Sequence, residues 1–153
     1  MAGDVEDRLE ALGIVLPTPA APAANYIPAV EAGGLLYVSG QLPTGPEGIF
    51  AGKLGRDFHI PAGQAAARLA AINVLAQAKA ALGRLDRIRR LVRVTGFING
   101  TADFTEPHQV LNGASDFFVE ALGDAGRHTR SVMVAVSLPM DAAVLVDAIF
   151  EVA

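Results

Sequence analysis

The stretch "GRHTRSVMVAVSLP", residues 126–139, decides how the chain is read. Val132, Val134, Val136 and Leu138 alternate with smaller or more polar residues, the period-2 signature of a strand with one buried face. Arg130 has the same parity as those valines, so a guanidinium stands at the entrance of an apolar face. A charge placed there needs a counterpart. It is either an acid of the protein, in a structural ion pair, or an anionic ligand.

Working outward, "PMDA" separates this strand from a second one at 143–152, and "IRRLVRVTGFIN" (88–99) reads as another, with Val92, Val94, Gly96 and Ile98 on one face. Upstream, "YIPAVEAGGLLYVSGQLP" reads as two strands joined at Gly33-Gly34, since glycine accepts the positive φ of a tight hairpin. "TGPEGIFAGKLGRDF" is loop and irregular strand. A long helix is expected from Pro61 to Leu82, with Ala65, Leu69, Ile72, Leu75, Lys79 and Leu82 at helical spacing and Gly83 as its stop. A second helix, "HQVLNGASDFFVEALG", can be opened by Pro107 and closed by Gly123. The order β-β-α-β-α-β-β predicts an α+β two-layer domain, a mixed sheet with two main helices on one face. The other face is then left for other subunits to bury. Ahead of this single domain, 26–153, lie a short amphipathic helix at Asp4–Leu12, with Val5, Leu9 and Leu12 on one stripe, and the proline-rich leader "PTPAAPAAN" (17–25).

Composition narrows the function classes. The chain has 153 residues, 52% of them hydrophobic but only 18% charged and 6% aromatic, an apolar load that predicts a homo-oligomer. Cysteine is absent, which excludes disulfides, thiolate nucleophiles and Cys-held metals. An acidic start and the lack of a membrane-length apolar run predict a soluble, cytoplasmic protein. The net charge of −4 argues against nucleic acid, and the arginine-rich "RLDRIRRLVR" (84–93), with no interleaved aromatic platform, reads as a solvated connection and strand face. His59, His108 and His128 have no i, i+4 partner, so no metal site is expected, and His128 is placed on a solvent-exposed turn. No Ser-His-acid set is evident and no cofactor is called for.

"Y…V..GGLLYVSGQLP" at 26–43, "DF…LNGASDFF" at 103–118, "RSVMVAVSLP" at 130–139 and the terminal "VDAIFEVA" together resemble the YjgF/YER057c/UK114 family, also called the Rid or reactive intermediate deaminase family and described elsewhere as endoribonuclease L-PSP. The resemblance runs unbroken over 26–153, and the extra N-terminal segment places the chain nearer a longer bacterial branch. It implies a chorismate-mutase-like homotrimer whose sheets line a barrel, with a cleft between adjacent subunits. It also implies hydrolysis of small 2-imino and enamino acids to 2-keto acids and ammonia, without a cofactor. The arginine that clamps the substrate carboxylate falls on Arg130, where two parallel charge-assisted hydrogen bonds would fix orientation. By the same resemblance Tyr26 is the cleft tyrosine, Ser39 and Gly40 lend backbone groups near the ligand, and Asn112 is the helix asparagine. Val132 supplies a backbone N–H to the carboxylate cradle, and Phe97 an apolar wall.

Read from the residues alone, Tyr26 also suits an ordinary hairpin aromatic, and the Ser39 hydroxyl suits a bond to the backbone of its own turn. Asn112 precedes Gly113 in a helix where neither is a strong helix former, so packing or function must compensate. One departure concerns chemistry. The family's last strand opens "VEVEA" or "IEIEA", the first glutamate being proposed to place the attacking water, whereas this chain has "VLVDA". Leu145 can neither hold nor activate water, and Asp147 lies about 7 Å further along the same face. Two readings therefore stand: an imine deaminase, or a non-catalytic trimer that binds or senses a small carboxylate such as a 2-keto acid. Asp147 and Glu151 are expected to make interface hydrogen bonds rather than acid-base chemistry. Ribonuclease action is the third and weakest reading.

Overall fold

A computed structural model of the chain describes residues 4–19 and 24–153. In chain order the elements are α1 (Asp4–Ala11), β1 (Ala29–Ala32), β2 (Leu35–Gln41), β3 (Thr44–Gly45), β4 (Gly48–Ile49), α2 (Ile60–Leu82), β5 (Ile88–Asn99), α3 (Pro107–Leu122), β6 (Thr129–Ala135) and β7 (Val144–Val152). Part of the expected leader, residues 20–23, lies outside the described residues. Gly33 and Gly34, at φ 61° and 79°, close the β1–β2 hairpin as the sequence predicts.

Five strands form one sheet in the order β1-β2-β7-β5-β6, and β3-β4 is a separate small hairpin. All neighbours in the large sheet are antiparallel except β5 and β6, which are parallel. The expected α+β domain with a mixed sheet is the fold that forms. On the face beneath α2 and α3, cross-strand rows such as Leu36–Phe150–Leu91 and Val38–Ala148–Val94 are buried. These rows are the floor of the core.

Three local expectations change. The α2 stripe is rotated: Ala66, Ala67, Ala70, Ala71, Val74, Leu75 and Ala78 are fully buried, Ala65 is exposed, and Leu69 and Ile72 are only half-buried. The reason is that α2 packs on both the sheet and α3, and small side chains permit the closer approach. In β5, register shifts between Ile88 and Arg90 and between Leu91 and Arg93 put Leu91, not Val92, in the core row with Val94. Finally, β6 stops at Ala135 and Val136 is 88% exposed. Lys53 Nζ captures the Val136 carbonyl and also donates to Asn99 Oδ1, so the chain leaves the sheet three residues early. It then makes a turn in which Met140 and Asp141 both sit at φ 56°.

The N-terminal helix joins the same core through Val5 and Leu9, while Leu12 lies past its end and is partly exposed. Arg8 of α1 lies against Gly123, where α3 ends and carbonyls point outward.

The face away from the helices carries the rows Leu35–Glu151–Arg90, Val30–Tyr37–Ile149–Arg93–Thr129, Asp147–Thr95–Ser131 and Leu145–Phe97–Met133. Val30, Tyr37 and Met133 are exposed at 46%, 41% and 51%. Among the described residues no helix covers this surface.

Gly113 explains how the weak "NG" step survives inside α3. A Cβ there would collide with the backbone carbonyl of Gln64 on α2, so only glycine lets the two helices meet. Gln64 Nε2 seals the contact by donating to the Gln109 carbonyl at 2.8 Å. Gly113→Ala is therefore expected to destabilise the fold by roughly 2 kcal/mol or more despite alanine's better helix propensity. A urea titration that found the variant as stable as the parent would remove this contact as a determinant of the packing.

Candidate functional site

Arg130 sits at the free edge of the sheet because β6 is the edge strand. It ends the buried row Val38–Ala148–Val94, and its side chain reaches up to α3 instead of into the core. Nη1 donates to Ser115 Oγ and Nη2 to the His108 carbonyl, each at 3.1 Å. No acid pairs with it among the described residues. Among the described residues the structural ion pair is thus absent and three of the five guanidinium N–H groups are uncommitted.

Ala135 accepts a bond from Gly100 N on the β5 side. Backbone groups alternate along a strand, so the N–H of Val132, three residues earlier, points the other way, off the free edge. Arg130 and Val132 therefore present a cation and a backbone donor along one edge. That pair suits a carboxylate.

Of the two residues behind Arg130, Ser115 escaped the sequence reading and His128 was expected on an exposed turn. Ser115 lies three residues beyond Asn112 on α3, and its hydroxyl is 2.9 Å from His128 Nε2. His128 Nδ1 donates to the Gly126 carbonyl at 2.6 Å, which leaves Nε2 as the acceptor of the Ser115 proton. The ring is half-buried and meets Phe118 edge-on at 6.1 Å, so the expected exposed turn is corrected. Burial pushes its pKa below the ordinary histidine value and the Arg130 charge adds to this, while the bond to Gly126 opposes them. The only available signal was that residues 128 and 130 share parity.

The other candidates fall into separate groups. Asn112 is half-buried on α3, and its side chain makes no hydrogen bond among the described residues. Tyr26 is 56% exposed just ahead of β1. Ser39 donates its hydroxyl to the Ile27 carbonyl at 3.0 Å, a backbone bond as expected but to the segment ahead of β1 and not within a turn of its own, because Ser39 lies inside β2. Ser39 and Gly40 are on β2, separated from β6 by β7 and β5. Three strand spacings put them about 14 Å from Arg130. Phe97 pairs with Met133 and Leu145 on the uncovered face, opposite to Arg130. One chain therefore does not assemble Tyr26, Ser39, Gly40 and Phe97 around Arg130.

Leu145 packs over Gly40, where an added Cβ would lie 2.5 Å from Cδ2. The leucine occupies the space that a side chain at position 40 would take. Along the same face, burial raises the Asp147 pKa above the usual carboxylate value, against the opposing bond from Thr95 and the nearby Arg93 charge. Arg93 Nη2 itself donates to Ser131 Oγ at 2.8 Å. Among the described residues no group of three or more His, Asp and Glu is placed to hold a metal, and no helix is long and apolar enough to cross a membrane.

The match to known proteins agrees with this architecture. The sequence model of the family described as "YjgF/chorismate_mutase-like, putative endoribonuclease" covers residues 6–152, most of α1 included. The chain belongs to the YjgF/chorismate-mutase-like family. Protein TCP17 of Trypanosoma cruzi is 46% identical over 152 residues, 98% of this chain and 95% of that protein. A crystal structure of a protein of unknown function from Agrobacterium tumefaciens has a TM-score of 0.92 at 45% identity, covering 99% of this chain and 94% of that one. E. coli TdcF, in a crystal structure with bound serine, has a TM-score of 0.62 at 26% identity, covering 89% of this chain and 94% of that one.

The raised Asp147 pKa carries a stability sign. A folded pKa above the unfolded one means that the folded state holds the proton more tightly, so stability falls as pH rises through that window. Asp147→Asn should raise the melting temperature at pH 7 and lose the advantage near pH 3. Thermal melts at both values check it, and equal melting temperatures for the two proteins at pH 7 would contradict it.

Proposed function

We propose that this YjgF-family chain binds a small 2-imino or enamino acid by its carboxylate at Arg130 and hydrolyses it to the 2-keto acid and ammonia. What supports the reading is the unpaired guanidinium beside the outward N–H of Val132 on an open strand edge. The relative TdcF, with its bound serine, is consistent with a small carboxylate ligand in this fold. In the reaction, water adds to the C=N carbon, the C–N bond then breaks with the nitrogen protonated, and the carbonyl forms. An enamine first tautomerises to the imine. Such substrates are intrinsically labile, so holding water and the electrophilic carbon together gives useful acceleration without a strong base.

The site is completed by a second copy. Ser39, Gly40 and Tyr26 lie toward the opposite edge of the sheet from Arg130 within one chain, so a neighbour's β2 and the segment ahead of its β1 supply them in a homotrimer that buries the uncovered sheet face. Asn112, with its amide uncommitted, orients the nitrogen-bearing carbon. Light scattering on the purified protein should give three times the chain mass, and Met133→Glu should lower it. A monomeric parent at micromolar concentration would contradict the shared site.

A second reading is favoured by Leu145, whose side chain packs over Gly40 and which stands where the resemblance implies a glutamate proposed to place the attacking water. On that reading the protein binds or senses a 2-keto acid and does not turn it over. The net charge of −4 gives no comparable support to an RNA substrate. Imine decay, with the imine generated by an amino-acid oxidase, separates the two. The hydrolase reading predicts faster decay with the parent protein and about 100-fold less acceleration with Arg130→Ala, as for loss of a charged anchor. Decay accelerated only by Leu145→Glu would make the parent a binding protein.

A further inference from the structure

We propose that Ser115 and His128 are positioning residues for Arg130, and that protonating His128 turns the Ser115 hydroxyl from a donor within the protein into a donor to the bound carboxylate. The inference rests on the reading of Arg130 as a carboxylate clamp and adds its control. The hydrogen-bond chain is continuous: Arg130 Nη1 to Ser115 Oγ at 3.1 Å, Ser115 Oγ to His128 Nε2 at 2.9 Å, and His128 Nδ1 to the Gly126 carbonyl at 2.6 Å. In the neutral imidazole the bond directions follow from the donor inventory: a carbonyl only accepts, so Nδ1 carries the proton, Nε2 accepts, and the serine donates to it while accepting from the arginine.

Adding a proton at Nε2 reverses one link. Nε2 becomes a donor, so Ser115 Oγ receives hydrogen bonds from both His128 and Arg130, which uses its two lone pairs. Its own proton is then released from His128, and in the proposal the bound carboxylate is the acceptor that takes it. The serine keeps its hold on the guanidinium, and the site gains both a donor and a second positive charge.

The groups facing His128 leave this effect uncancelled. From α3 it meets the Ser115 hydroxyl and the Phe118 ring. From β5 come Arg90 and Val92, which line a shallow pocket with Arg127, His128 and Thr129. From its own segment come Arg127 and Arg130, with Asp124 3.7 Å from Arg127 and fully exposed. The surroundings are mainly cationic, which favours the neutral ring in the free protein, and a bound anion would shift the balance toward the charged one. Burial and the Arg130 charge act in the same sense on its pKa.

The linkage has a definite sign. A carboxylate on Arg130 raises the His128 pKa, so affinity is greatest below the free-protein value and is lost as pH rises through the ligand-bound value. The test uses 2-oxobutanoate, whose own carboxyl stays ionised throughout, titrated by calorimetry from pH 5 to pH 8 into the parent, His128→Gln, Ser115→Ala and Arg130→Ala proteins. The parent should bind about fivefold more tightly at the acid end, the low end of ordinary coupling between two sites. His128→Gln, which can still accept from Ser115 but cannot titrate, should bind at all pH values with the parent's affinity at pH 8. Ser115→Ala should bind more weakly at every pH. In parallel, imidazole resonances of the parent should report an upward shift of the His128 pKa on saturation, a readout that needs no variant to fold. Equal pH slopes in the parent and His128→Gln, or an unmoved imidazole pKa, would overturn the coupling while leaving the clamp intact. Undiminished binding by Arg130→Ala would instead overturn the clamp, and the coupling with it.

Discussion

The seating of α3 is the constraint on which the rest of the molecule depends. Its backbone touches that of α2 at Gly113, with Gln64 bonded across to the Gln109 carbonyl, so the helix cannot lift or slide. On its other side, Phe117, Phe118 and Leu111 are buried in the core that the sheet provides. Two residues past the contact, Ser115 comes to β6 at hydrogen-bond distance, and the opening turn offers the His108 carbonyl. Arg130 is thus held by a helix fixed elsewhere. Removing the tight helix contact would loosen the site without touching it.

The second consequence comes from strand order. β6 is the last strand in the order and pairs only with β5, so half its backbone donors face outward and a charged side chain can end a buried row without being buried itself. The same sheet leaves a whole face of mixed apolar and polar rows without helices. An unpaired edge and an uncovered face both ask for a partner, and a second copy of the chain can satisfy both. That is why a site split between β2 and β6 is coherent in an assembly although it is dispersed in one chain.

Much of the fold was legible because strong periodicity and glycine punctuation agreed: β5 and both main helices begin and end within a residue or two of their predicted limits. The errors have physical causes. In α2, alanine on several faces blurs the stripe, so spacing alone could not tell which alanines lie against α3. A bulge in β5 is invisible to a period-2 count, and the early end of β6 depends on Lys53 reaching the Val136 carbonyl from 83 residues away. Arg130 was legible as an unusual charge on a valine face. Its supports were not, because Ser115 on α3 and His128 before β6 acquire meaning only when those elements are packed together.

The central claim is that Arg130 recognises a carboxylate, and it is tested most directly by comparing 2-oxobutanoate with its methyl ester. The two ligands share the ketone and carbon chain and differ mainly in the charge that a guanidinium would meet. Calorimetric titration at constant pH and ionic strength gives both affinities. The account predicts measurable binding of the acid and a loss of at least 30-fold for the ester, about 2 kcal/mol, in keeping with a charge-assisted pair. Equal affinities for acid and ester would mean that the charge is not read, and the edge of β6 would not be the binding site.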